Sequence, residues 1–200
     1  MKRALDPAIG GIINCLELYL HDDIISVDGT PIIPTYEQCL GSYVGTYLDV
    51  IAERITFKPN YDSNGKYCGV VADLPSKITG FYCIGYEHPI DGTASYYVGS
   101  TIKCIRDRLG MLSRLVMTGK ATGNESLTVA NKWVEKHGRN LDYAFITYFP
   151  SNFPQTKLRK VETEVLNHYR RLFGTDVLNV AEKAVRTLEW SPPTPPLEGL

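Results

Sequence analysis

Four side chains in this 200-residue chain combine into a set suited to phosphodiester chemistry: Tyr82, Tyr97, Arg108 and Glu164. A phosphodiester is anionic and stable, so its hydrolysis requires charge neutralisation at phosphorus, an oriented water and help for the departing oxygen. Tyrosine hydroxyls can pass protons or hold water, a guanidinium fork can grip non-bridging oxygens, and a carboxylate can hold a divalent cation. Each residue also has an ordinary reading. Tyrosines on a sheet commonly pack with the hydroxyl at the rim, a helix arginine is commonly solvated, and Glu164 is placed to pair with Lys160 or His168 at four-residue spacing. The joint arrangement, and no single residue, points to chemistry.

The elements that must position these residues follow from patterning. Gly80 to Tyr86 alternates as Phe81, Cys83, Gly85 against Tyr82, Ile84, Tyr86, which predicts a half-buried strand. After a loop with His88-Pro89 and Asp91-Gly92, Tyr96-Tyr97-Val98 resumes the pattern and closes an antiparallel hairpin. Lys103 to Leu115 carries Ile105, Leu109, Leu112 and Leu115 on one side and Lys103, Arg106 and Arg114 elsewhere, a basic amphipathic helix. A helix over Ser126–His137 stopped by Gly138, a buried strand over Leu141–Phe149 and a long helix over Thr156–Phe173 with Gly174 at its end complete this half. The long helix holds both Glu162 and Glu164.

Upstream, Asp6-Pro7 followed by Ile9, Ile12, Ile13, Leu16 and Leu20 predicts a helix over 7–20, and Ile24–Ile33 around Asp28-Gly29 predicts a small hairpin. A second helix is expected over Tyr36–Ile55. Its Gly41 and Gly45 each cost helix stability, about 1 kcal/mol, and close packing against a neighbour would account for them. Residues 57–66 read as turn and Tyr67–Val71 as a strand, and beyond Asn179 the periodicity gives way to Ser191-Pro192-Pro193-Thr194-Pro195-Pro196.

The net charge of −1 counts against a nucleic-acid binder taken whole, but its distribution is uneven. Residues 1–79 hold 6 Lys/Arg against 10 Asp/Glu, whereas residues 80–180 hold 13 against 9, so positive charge gathers after the first tyrosine. Five cysteines without a C-x-x-C pair suggest neither a disulfide framework nor a zinc site, and buried reduced thiols are expected. The sequence shows no apolar run near the roughly 18 residues of a membrane span and no apolar signal core near Met1, which places the chain in the cytoplasm.

In this setting the chain resembles the GIY-YIG nucleases. The resemblance lies in Gly80-Phe81-Tyr82, Tyr97-Val98-Gly99-Ser100, Ile105-x-x-Arg108-Leu109, and Glu164 followed 15 residues later by Asn179. Trp133 to Gly138, leading into a strand at Phe145, is similar to a segment of phage and intron-encoded homing endonucleases. It covers about residues 79–181, and it implies an α+β domain with a small antiparallel sheet of about three strands flanked by helices. Residues 1–78 then form an N-terminal α/β extension of unknown role and 182–200 a proline-rich tail.

The same resemblance implies a DNA endonuclease, homing-type or phage-borne, that uses Mg2+ or Mn2+ on double-stranded DNA and leaves 5′-phosphate and 3′-hydroxyl ends. In a phage setting the compartment is the host cytoplasm. Tyr82 assists the attacking water, Tyr97 binds the scissile phosphate or its water, Arg108 stabilises charge at phosphorus, and Glu164 is the protein's metal ligand. Gly99 allows close approach, Ser100, Lys103 and Arg106 contact phosphate or DNA, and Asn179 ties the last segment to the sheet. Where the family often has a histidine four residues after the arginine this chain has Leu112, which leaves the general base open among Tyr82, a water and Lys103. The hairpin loop is longer than usual, and the spacing from Gly99 to Arg108 is one residue longer than the family pattern, which keeps Arg106 as second candidate. The alternatives are a restriction endonuclease with a short site, or a nucleic-acid-binding protein that retains the nuclease fold.

Overall fold

Thr35 starts the first helix with a capping box: its hydroxyl accepts from the Gln38 N–H, and its own N–H donates to the Gln38 side chain. The computed structural model describes residues 34–119 and 124–179, the side chains of 124–126 excepted. The helix expected at 7–20, the hairpin at 24–33 and the proline-rich tail lie outside these residues. In chain order come α1 (Tyr36–Thr46), β1 (Ile55–Tyr61), β2 (Tyr67–Ala72), β3 (Gly80–Glu87), β4 (Ala94–Thr101), α2 (Ile105–Thr118), α3 (Asn124–His137), β5 (Ala144–Pro150) and α4 (Gln155–Phe173). A π-helical turn, Tyr47–Ile51, extends α1 before the backbone becomes extended at Ala52, so the second helix ends short of its expected limit at Ile55.

The fold is α+β, and its strands make one antiparallel sheet in the order β2-β1-β5-β3-β4. Five strands replace the expected three or so. β1 joins the sheet through Ile55↔Ile146 and Thr56↔Phe145 of β5 and then pairs with β2 alone. That arrangement tolerates Pro59, which lacks an N–H, in what the sequence presents as a turn-rich stretch. Residues 36–72 therefore share sheet and core with the rest of the described residues.

Strand alternation sends β3 to both faces. Tyr82, Ile84 and Tyr86 face α2 and α3 with Ile105, Leu109, Leu112 and Trp133, while Phe81 and Cys83 join Tyr96 and Val98 against Leu40, Val44, Val161 and Val165 of α1 and α4. Gly41 and Gly45 are where α1 meets α4: a Cβ on Gly41 would lie 2.2 Å from Glu164 Cβ, and one on Gly45 2.5 Å from His168 Cδ2. Their helical cost is thus tied to close helix packing, as the sequence suggests. Of the described cysteines Cys39 and Cys83 are buried, but Cys68 is exposed and Cys104 half-buried, so general burial of the thiols does not hold. Among the described residues no helix is long and apolar enough to cross a membrane.

Candidate active site

Tyr82 and Tyr97 come together because the β3–β4 ladder pairs Tyr82 with Gly99 and Ile84 with Tyr97, which makes the tyrosines diagonal neighbours on the face toward α2. Their rings meet edge to face, with centroids 6.1 Å apart. Gly99 is the partner that makes room. A Cβ there would fall 2.4 Å from Tyr82 Oη and 2.6 Å from its Cζ, so the Tyr82 phenol lies across the glycine and its hydroxyl reaches strand β4. The close approach expected at Gly99 is made by this side chain.

Tyr82 is only 2% exposed, whereas Tyr97 is partly buried at the rim of the same cluster. Burial first, then the neighbouring Tyr97 phenol and a hydrogen bond to it, raise the Tyr82 pKa well above the ordinary phenol value; Arg108 acts to lower it and Glu162 to raise it. Tyr82 therefore keeps its proton at neutral pH. A deprotonated Tyr82 acting as general base does not fit this environment, and its burial sets it behind Tyr97.

The two arginines of α2 separate cleanly. Arg108 is exposed on α2, and its charge acts to lower the Tyr82 pKa. Arg106 instead donates from Nη2 to the Leu74 carbonyl, on the connection between β2 and β3. The longer spacing after Gly99 is thus absorbed without displacing Arg108. Leu112, where a histidine might stand, is 4% exposed and packs in the core, so that position of the helix offers nothing to the site. Lys103 is exposed in the turn between β4 and α2, with its backbone N–H on Thr101 Oγ1.

The expected carboxylate, Glu164, lies on the side of α4 toward α1. Two residues on an α-helix differ by about 200° in direction, and α4 turns Glu164 against Gly41 of α1, where Asn167 Nδ2 donates to its Oε2 at 3.5 Å. Glu162 takes the other side. Its Oε2 accepts from the Ser100 hydroxyl at 2.6 Å, and its charge acts on Tyr82. Ser100 is thereby placed as a partner of the carboxylate rather than as an independent phosphate contact. The site wraps the end of β4, with the tyrosines and Arg108 toward α2 and Ser100 and Glu162 toward α4.

Asn179 holds β4 from outside. Its Oδ1 accepts from the Val98 N–H at 2.9 Å and its Nδ2 donates to the Val98 carbonyl at 2.7 Å, while Leu178 N–H donates to the Tyr96 carbonyl at 2.8 Å. This fixes the strand segment that carries Tyr97 and Gly99. Two neighbours were not among the expected site residues: Glu162, and Tyr148 of β5, which pairs directly with Tyr82 and is half-buried on the same face. Glu162 and Glu164 flank the buried stripe Leu158, Val161, Val165 and Tyr169 alike, so the sequence carries no signal that singles out Glu162. No family model, curated protein or solved structure matches the chain.

Proposed function

We propose that this chain is a metal-dependent endodeoxyribonuclease of the GIY-YIG type, homing or phage-borne in character, acting on double-stranded DNA. The reading is carried by one observation: the Tyr82 and Tyr97 rings meet edge to face across Gly99, and the next residue of the same strand, Ser100, is bonded to the Glu162 carboxylate of α4. Arg108 and the tyrosines meet the demands of an anionic phosphodiester, and Glu162 replaces Glu164 as the carboxylate. Glu162 would hold a divalent cation through one carboxylate, a ligand type that suits Mg2+, which commonly takes one or two carboxylates beside water and substrate phosphate. Among the described residues no group of three His, Cys, Asp or Glu stands together. The single hard carboxylate, oriented by Ser100, fits that cation. When bound, it supplies charge neutralisation at phosphorus and acidifies a coordinated water.

The chain's own residues do the rest. Arg108, exposed and with planar donors, binds non-bridging oxygens and stabilises the charge that builds on them. Tyr97 presents its hydroxyl to the scissile phosphate or the attacking water. Tyr82, protonated and hydrogen-bonded to Tyr97, fixes the orientation of that hydroxyl from behind. Purified protein with supercoiled plasmid and Mg2+ or Mn2+ tests the reading, with Glu162→Gln as control. Absence of nicking by the wild type across several DNAs and both metals overturns it. Sequencing the cut ends then separates a long degenerate site, as homing implies, from the short palindrome of a restriction enzyme.

A further inference from the structure

The β1–β2 ribbon does no work in the site just described, yet it is shaped as a separate device. Past Thr56, β1 leaves β5 and pairs only with β2, so Phe57–Tyr61 and Tyr67–Ala72 run on as a two-stranded ribbon. One face is anchored: Phe57 is buried in the core with Val70 and Ala72 packed against it, and Tyr67 Oη donates to Ser113 Oγ of α2 at 3.1 Å. The other face is open. Lys58 pairs with Val71 and Asn60 with Gly69, and Lys58, Asn60 and Val71 are exposed, Val71 to 64%. Gly69, at φ +125°, has nothing within 4 Å of where a Cβ would stand, so Asn60 has no side chain across from it.

The tip is tightly built. Asp62 Oδ1 accepts from the N–H groups of both Asn64 and Lys66 at 2.9 Å, which turns the ribbon's acid onto its own backbone. Arg114 of α2 acts electrostatically on Tyr67, the first residue of β2. A cation, an amide and an apolar side chain on an open ribbon are the groups that read base edges, and a two-stranded ribbon fits the major groove. Ser113 follows Arg108 on the same helix by five residues, about 7.5 Å of rise, so the anchor ties the ribbon rigidly to the candidate site.

We infer that the β1–β2 ribbon enters the major groove of duplex DNA close to the cut and reads its bases through Lys58 and Asn60. The inference rests on the nuclease reading above and adds the element that selects where the enzyme acts. Lys58 is suited to guanine, Asn60 to adenine and Val71 to a thymine methyl.

The test uses the full chain on a randomised plasmid library with Mg2+, sequencing the cut ends, followed by fluorescence-anisotropy titration without metal on the duplex that wild type cuts most. Lys58→Ala with Asn60→Ala is expected to weaken binding by about tenfold and to relax base preference within about 10 base pairs of the cut. Lys58→Gln alone should relax the preference for guanine at one position. Asn60→Asp should move the preference at one position from adenine toward cytosine, and these exposed single changes keep the test open if the double variant melts early. Unchanged cut-site preference and affinity within about twofold overturn the inference while leaving the nuclease intact, as does tighter binding of single-stranded RNA than of duplex. If wild type cuts nothing, the nuclease reading falls and the titration is run on a random-sequence duplex, where weaker binding by the double variant supports the ribbon and equal or absent binding overturns it.

Discussion

Ser100 of β4 donates its hydroxyl hydrogen to Glu162 Oε2 at 2.6 Å, joining the edge strand to helix α4 one residue beyond Gly99. Glu162→Gln is expected to lower plasmid nicking by about 100-fold or more, the scale for a group that stabilises transition-state charge. Glu164→Gln, on the side of the helix toward α1, should leave nicking within a few-fold of wild type. Ser100→Ala should raise the Mg2+ concentration for half-maximal nicking by about tenfold, as loss of a group orienting a metal ligand does. A metal titration of nicking by the three variants decides between the carboxylates.

Arg108→Ala should reduce cleavage by about 100-fold with duplex affinity changed much less, because its guanidinium serves the charge that develops during reaction. Arg106→Ala removes a bond to the Leu74 carbonyl instead. Its effect is expected in stability, about 1 kcal/mol, with single-turnover cleavage retained once the protein is folded. Paired measurements of melting and single-turnover rate separate the two.

Gly99→Ala sets a methyl 2.4 Å from Tyr82 Oη, and the buried ring cannot easily retreat. A cost of about 1–3 kcal/mol is expected, read by urea denaturation. Tyr82→Phe removes the oxygen nearest that methyl while leaving Cζ at 2.6 Å, so combining the two should relieve only part of the clash. A double-mutant cycle should therefore be non-additive, and strict additivity would show that the ring does not rest on the glycine.

Stability should fall on the acid side of neutrality. Burial first, and then Arg171, lowers the His168 pKa from its ordinary 6.5, and His168 Nε2 is buried with no hydrogen-bond partner. Burial, followed by Lys136, lowers His137 as well, against the opposing pull of Asp91 and Asp176. A histidine whose folded pKa is depressed leaves the unfolded chain with more bound protons between the two values. Stability is therefore complete above about 6.5 and declines as the pH drops through the folded values. Melting curves from about pH 8 to pH 5 should show this decline, and His168→Gln should flatten it.

The hairpin and the basic helix were legible because alternation and three-to-four spacing are strong signals, and they placed Tyr82, Tyr97 and Arg108 together. Glu164 was not separable from Glu162 by spacing, since both lie on one helix near the expected distance from Asn179. The helix face decides, and that face depends on where Gly41 and Gly45 let α1 approach. β1 was hidden for a related reason: Pro59 and Asn60 read as turn, and the ribbon turns a polar face outward, so the strand has little apolar alternation to show.

The paired bonds from Asn179 to Val98 have a consequence for solubility. An outermost strand normally leaves a row of main-chain donors and acceptors that invites pairing with another chain. Here an amide side chain copies the bonding of a neighbouring strand for one residue, and Leu178 occupies the carbonyl of Tyr96. Asn179→Ala would uncap that row beside Tyr97. Its first symptom should be concentration-dependent self-association, with the register of the tyrosines disturbed in the same step.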